Sequence, residues 1–206
     1  SIIIYRFILI KRAMKKNKIL LLLISLIICF SCNVKSADSI IINAKIYTVN
    51  NQNEIAKSVN VPVVTSSLMQ VSLVNKILPP NKFAGIITIS AKTLSKEHLN
   101  KANVPLETPI VGTDEEGEFS KVVLKNKYEL DYNLAKQDIL NASNELVNND
   151  KQIGAIILEC TNMVPFAADI RKAIGLPVFS IYNFILWFQN SLIPKRFNIG
   201  LDDPRL

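Results

Sequence analysis

The chain has 206 residues, of which 49% are hydrophobic and 20% are charged, and its formal net charge is +7. This size and composition fit one or two globular domains and exclude a wholly disordered chain. Residues 1–31 hold six of the 24 basic residues and no acidic one, so the remainder carries 18 basic against 17 acidic residues. That remainder has no basic stripe that could follow a phosphate backbone, and we expect no nucleic-acid partner.

The first 32 residues are typical of a targeting leader. Lys15, Lys16 and Lys18 precede an apolar run of twelve residues, 19–30, which is shorter than the roughly 20 residues of a transmembrane helix. Cys32 then lies in a pattern typical of a bacterial lipoprotein cleavage site and would be the lipidated residue; an uncleaved anchor or a plain secretory signal are the alternatives. We expect membrane contact only through this leader, with a cell-envelope location if it is used and a cytoplasmic one otherwise.

Residues 33–60 form a second segment, which is predicted to be rich in β-structure. Two short strands are expected within 38–49, around 43–45, followed by a polar turn at 50–53. The segment resembles the opening of amidohydrolases, where a small β-sandwich precedes a metal-dependent barrel. Such a barrel needs a His-x-His strand, and His98 is the only histidine of the chain, so amidohydrolase chemistry is excluded.

From residue 61 to residue 197 the pattern changes to strands that alternate with helices. This alternation predicts βαβ units and a doubly wound α/β domain with a parallel sheet, followed by a tail at 198–206. The aromatic residues of the last helix are expected in the core, with the lining of a substrate cleft as the alternative; they are Tyr182, Phe184, Trp187 and Phe188. The predicted strands are 61–65, 85–89, 110–111, 153–158 and 178–180, and the predicted helices are 68–78, 93–101, 130–146, 163–174 and 182–192, with Gly175 closing the fourth.

Cys160 is the candidate reactive residue, because it falls in the turn between the most apolar predicted strand, which ends at Glu159, and a predicted helix. Ligands of open α/β sheets bind at the carboxyl ends of the strands. Free N–H groups and the positive end of a helix dipole would bind a carboxylate there and lower the pKa of the thiol. Thr161 and Asn162 add polar side chains. The residues alone leave open that Cys160 is a small buried hydrophobe.

Other polar residues have simpler interpretations. Cys29 and Cys32 belong to the leader, so Cys160 has no disulfide partner, and the scattered cysteines with one histidine make no standard zinc site. His98 is expected at the surface, and the acidic residues 114–118 are expected to form a solvated turn because they lack the spacing of a calcium loop.

Several motifs within residues 61–197 carry a family resemblance. They are 62–70, 85–90, 112–114, 175–178, 187–188 and, above all, Glu159-Cys160-Thr161-Asn162-Met163. In these motifs the chain is similar to the aspartate/glutamate racemase superfamily.

The resemblance implies chemistry without a cofactor or a metal, in which two cysteines face each other across a cleft between two α/β domains. One thiolate removes the α-proton of an amino acid or hydantoin, and the other thiol returns a proton to the opposite face. Cys160 would be one of the two cysteines. Thr161 and Asn162 would hold the carboxylate of the small amino-acid or carboxylate substrate, and the cleft would also be lined by Thr65, Ser66 and Ser67.

The same resemblance predicts an incomplete first domain. The first catalytic cysteine normally precedes the segment that corresponds to 61–65, whereas residues 33–60 contain no cysteine. We expect that this arrangement arose by the fusion of two gene fragments near residues 59–61. We also expect the activity to be impaired. A non-catalytic envelope lipoprotein that binds a small carboxylate, and a fusion product without function, are the alternatives.

Overall fold

The computed structural model describes the backbone of Ile40–Ile41 and residues 52–193. The leader with Cys32, the second strand predicted within 43–49 and the tail at 198–206 lie outside the described residues. In chain order, the elements are β1 (Ile40–Ile41), α1 (Gln52–Ser58), β2 (Val63–Val64), a 3-10 helix (Ser67–Gln70), α2 (Val71–Ile77), β3 (Phe83–Thr88), α3 (Lys96–Lys101), β4 (Ile110–Gly112), α4 (Glu118–Leu124), α5 (Tyr132–Asn149), β5 (Ile153–Leu158), a second 3-10 helix (Thr161–Phe166), α6 (Ala167–Ile174), β6 (Val178–Phe179) and α7 (Ile181–Leu192).

Four strands form the central sheet in the order β4-β3-β5-β6, and all neighbours are parallel. Ile86 of β3 is paired with Ile110 on one side and with Ile157 on the other, so β3 and β5 are the inner strands. Because the strands are parallel, their carboxyl ends meet at one edge of the sheet. The predicted parallel α/β sheet is confirmed.

Helices cover both faces of this sheet, as expected for strands that are apolar throughout. Ile156 and Leu158 of β5 pack on the face that is covered by α4, α5 and α6. Ala155 and Ile157 pack on the opposite face, which is covered by the first 3-10 helix, α2 and α3. The alternation of side chains along a strand therefore divides β5 between two cores, and the doubly wound architecture is confirmed.

The segment before residue 67 differs from the prediction. The strand expected at 61–65 is limited to Val63–Val64 and pairs with Ile40–Ile41 in a separate two-stranded parallel sheet. Helix α1 begins inside the polar turn predicted at 50–53. The side chain of Gln52 donates a hydrogen bond to Val63 O, at 3.1 Å, and accepts one from Thr65 Oγ1, at 2.7 Å. Long-range contacts of this kind are invisible to a local sequence pattern.

The helix predicted at 163–174 is divided into a 3-10 turn and the α-helix α6. Pro165 lies inside the first part and has no backbone N–H, so it cannot make the bond to Thr161 O that an α-helix starting there would require. Gly175 ends α6 in the left-handed region with φ 81°, which confirms its predicted role.

The prediction that the aromatic residues of the last helix are core residues is correct for Phe184 but wrong for two others. Tyr182 and Trp187 are 42% and 56% exposed, because α7 packs through one face only, around Val64, Ile181 and Phe184. Within residues 52–193, no helix is both long and apolar enough to cross a membrane.

Candidate functional site

Cys160 lies at the carboxyl edge of the sheet, two residues after the end of the inner strand β5. It caps the second 3-10 helix with an extended backbone, and Met163 N donates to its carbonyl oxygen at 3.1 Å. The residue is half-buried and packs against the core on the α5 and α6 face. The thiol of Cys160 therefore lies at the edge of the sheet where ligands of open α/β sheets bind.

The electrostatics of this thiol differ from the expectation. The pKa of Cys160 is raised from its ordinary value of 9.0 to about 11, chiefly by burial and in smaller part by the nearby Glu159. Hydrogen bonds from Asn162 and from the backbone of Met163 lower the pKa, but they do not compensate for the burial. The predicted lowering is therefore wrong, and the thiol is the resting form at neutral pH. The physical reason is that desolvation outweighs the few N–H groups of a short 3-10 turn.

Thr161 and Asn162 follow the cysteine in the chain and differ in their exposure to solvent. Thr161 is half-buried, and its hydroxyl makes no hydrogen bond to any residue in the described part of the chain, whereas Asn162 is exposed and bonds to the thiol. Both side chains stay close to Cys160, because they belong to the same turn. Their role in binding a carboxylate stays a prediction.

The three hydroxyl residues after β2 are all buried, and each hydroxyl has an internal partner. Thr65 bonds to Gln52, and Ser66 caps the first 3-10 helix by accepting from Leu68 N at 3.2 Å. Ser67 alone reaches the end of β5, where its hydroxyl donates to Leu158 O at 2.7 Å. Ser67 therefore joins the first 3-10 helix to the segment that carries Cys160. The prediction that these residues line a substrate cleft stays a prediction.

Two further polar residues belong to this edge, although the sequence pattern assigned no role to them. Glu159 is only 7% exposed, and its Oε2 accepts a hydrogen bond from Thr88 Oγ1 at 2.8 Å. Burial raises the pKa of Glu159, while the bond from Thr88 lowers it. The sequence contains a pattern that could have identified these two residues. Thr88 ends one apolar strand, and Glu159 follows the neighbouring apolar strand.

The remaining polar candidates have structural roles. His98 is half-buried and completes a capping box with Ser95, whose backbone N–H donates to His98 Nδ1 at 3.0 Å. In the acidic turn, Glu115 pairs with Lys92 and Glu116 with Lys121. Residues 52–193 contain no group of three or more His, Cys, Asp or Glu side chains that could hold a metal ion.

Comparisons with known proteins identify the fold. No protein-family model matches the sequence, and no curated protein matches it. Among solved structures, an allantoin racemase from Pseudomonas fluorescens is similar, with a TM-score of 0.53 and 15% identity over 86% of this chain and 77% of that one. The described domain therefore has a racemase-like α/β fold, as the sequence motifs predicted.

Two glutamate racemases also match, less closely. The enzyme from Bacillus anthracis gives a TM-score of 0.49 and 16% identity, over 75% of this chain and 60% of that one. The enzyme from Francisella tularensis, solved in complex with D-glutamate, gives 0.45 and 17%, over 79% and 61%. This chain thus spans about three fifths of the length of the glutamate racemases that it matches.

Proposed function

We propose that this protein is a cofactor-independent racemase-type protein in which Cys160 exchanges a proton with the α-carbon of a small amino-acid or hydantoin-type ligand. The observation that supports this proposal is the place of Cys160: a partly accessible thiol at the carboxyl end of an inner strand, in a racemase-like fold. Thr161 and Asn162, in the same turn, would hold the carboxylate of the ligand.

The protonation state of Cys160 determines whether the residue more readily donates a proton to the α-carbon or removes one from it. With a pKa of about 11, Cys160 is protonated at neutral pH and is ready to give a proton, whereas the removal of a proton first requires its own ionisation. Inversion at the α-carbon also needs a second acid on the opposite face. Cys160 is the one free cysteine of residues 52–193, and we therefore propose slow exchange with little inversion.

A second candidate function is binding without catalysis, in which a small carboxylate occupies the same edge of the sheet. The raised pKa of Cys160 favours it, because a protein that uses a thiolate base would be expected to stabilise the thiolate. A lipoprotein leader with Cys32 as the lipidated residue would make this a binding protein of the cell envelope. A fusion product without function is the third possibility.

The test is α-proton exchange in deuterated water, with aspartate, glutamate and a hydantoin as substrates. We expect slow deuterium uptake that increases with pH and disappears in Cys160→Ala, with circular dichroism to show that both proteins fold. Folded wild-type protein that binds aspartate and exchanges no proton would contradict the catalytic proposal and favour the binding protein. Protein that aggregates without folding would favour the product without function.

A further inference from the structure

Helix α7 packs on the protein through its inner face and exposes apolar side chains on its outer face. The inner face belongs to a small core around Val64, Ile181 and Phe184. The exposed large apolar residues of the helix and of the position that follows it are Tyr182, Leu186, Trp187 and Ile193. Because the inner face already holds α7 in the fold, the outer face can bind another molecule without disturbing that core.

Three of these apolar residues share one stripe along the helix. Tyr182 and Leu186 begin it, Gln189 continues it, and Ile193 ends it, in steps of four, three and four positions. Such steps keep side chains on one side of a helix and are typical of the surface through which two helices pack. We call these four residues the outer stripe; Trp187 lies beside it.

The helix that carries the outer stripe contains no charged residue. Residues 181–193 include no Asp, Glu, Lys, Arg or His, whereas each of the helices α1 to α6 carries at least one charged side chain. A charged partner would therefore find no opposite charge on α7. A second copy of the same stripe is apolar, uncharged and equal in length, and pairing the two brings no like charges together.

The area of this face is enough for a small interface between two copies. An exposed aromatic side chain offers about 150–250 Å² and an aliphatic one somewhat less, so the exposed fractions of 42%, 41%, 56% and 64% for Tyr182, Leu186, Trp187 and Ile193 correspond to roughly 400 Å² on each copy. Asn183, Gln189 and Asn190 are exposed on the same helix and add a polar rim. Two copies would thus bury on the order of 1,000 Å² in total, which is the low end for a specific interface.

We propose that the protein forms a twofold dimer in which the outer stripe of α7 packs against the same stripe of a second copy. A twofold interface uses one self-complementary patch on both partners, and an uncharged apolar stripe fulfils that condition. The proposal goes beyond the proposed function and does not depend on it, because α7 and Cys160 are tested by different measurements.

The experiment measures the mass of the full chain by sedimentation velocity over a series of concentrations, together with its tryptophan fluorescence. For an interface of this size we expect a monomer–dimer equilibrium with a dissociation constant on the order of micromolar. Trp187 is the single tryptophan of the chain, and it lies beside the outer stripe. Its emission should therefore shift to shorter wavelength over the same concentrations at which the dimer forms.

Two substitutions at the middle of the stripe locate the interface. Leu186→Glu and Leu186→Lys should each weaken the dimer at least about 100-fold, because twofold symmetry places a desolvated charge at the interface twice. An equimolar mixture of the two variants should associate again, since opposite charges then face each other. This recovery also shows that both variants are folded. Leu73→Glu is the matched control, because Leu73 is 50% exposed on α2 and lies outside the stripe; it should dimerise like wild type.

Three results would overturn the proposal. The first is a monomer at every concentration, and the second is association that Leu186→Glu leaves unchanged, as association through the apolar leader at 19–30 would be. The third is a shift of the Trp187 emission that requires phosphatidylglycerol vesicles and occurs at concentrations where the protein is monomeric, since the outer face would then bind a lipid surface. None of these results bears on proton exchange by Cys160.

Discussion

Thr88 and Glu159 are joined by a hydrogen bond of 2.8 Å at the carboxyl edge of the two inner strands. Thr88 is the last residue of β3, and Glu159 directly follows β5. Both side chains are buried, so the bond is shielded from water. It fixes the orientation of the carboxyl group of the residue that precedes Cys160 in the chain.

Replacing Thr88 by valine should destabilise the fold and raise the pKa of Glu159 further. The change keeps the β-branched shape but removes the donor, which costs about 1–3 kcal/mol for a buried bond to a carboxyl group. Urea unfolding measures the first effect, and carbon NMR of the glutamate carboxyl groups measures the second. Thr88→Ser retains the hydroxyl and should keep the pKa of Glu159 near its wild-type value. A Thr88→Val protein of wild-type stability would show that the bond contributes nothing.

The stability of the protein should depend on pH through Glu159. Because folding raises its pKa above the ordinary 4.5, its contribution is fully present below that pH and is lost as the pH rises through the folded pKa. The free energy of unfolding of Glu159→Gln should therefore increase relative to wild type as the pH rises from 4.5 through the folded pKa of Glu159.

Glu97→Gln is the matched control for this pH profile. Glu97 is exposed, and the hydrogen bond and charge of Lys101 lower its pKa. Its contribution is present above the unfolded pKa and is lost as the pH falls, so any effect of this substitution should have the opposite sign. Parallel pH profiles for Glu159→Gln and wild type would contradict the burial of an ionisable carboxyl group.

Cys160 should react slowly with alkylating reagents. A rise of its pKa from 9.0 to about 11 reduces the thiolate about 100-fold at neutral pH, and the thiolate is the reactive form. In a chain with Cys29→Ser and Cys32→Ser, we expect iodoacetamide to react about 10-fold to 100-fold more slowly at pH 7.5 than with the same chain in urea. The rate should continue to rise above pH 9, and a plateau below pH 9 would show that the site stabilises the thiolate instead.

Ser67→Ala should destabilise the junction between the first 3-10 helix and β5. The substitution leaves Leu158 O without its buried donor, which costs about 1–3 kcal/mol. Ser191→Ala removes an exposed hydroxyl that bonds within α7 and should change stability by less than about 0.5 kcal/mol. Urea unfolding of both variants measures the difference. Equal losses in the free energy of unfolding would mean that the buried bond of Ser67 stabilises the fold no more than the exposed bond of Ser191.

The sequence by itself determined the class of fold. The apolar run at 153–158 predicted a strand covered on both faces, because it has no polar side for water, and the alternation of strands with helices predicted a parallel sheet. The same pattern placed Cys160 at a strand end, since the run stops there and polar residues follow. Gly175 was identified as a helix end because a left-handed residue is required at that position.

The tertiary structure alone decided the chemistry of the edge. The pKa of Cys160 depends on how much of the surrounding protein excludes water, which a local pattern of turn and helix does not contain. Ser67 reaches Leu158 across 91 positions of the chain, and Thr88 reaches Glu159 across 71. Such contacts are set by the pairing of β3 with β5 and by the packing of the first 3-10 helix. Short-range periodicity predicts elements, but burial and partners arise only when distant elements meet.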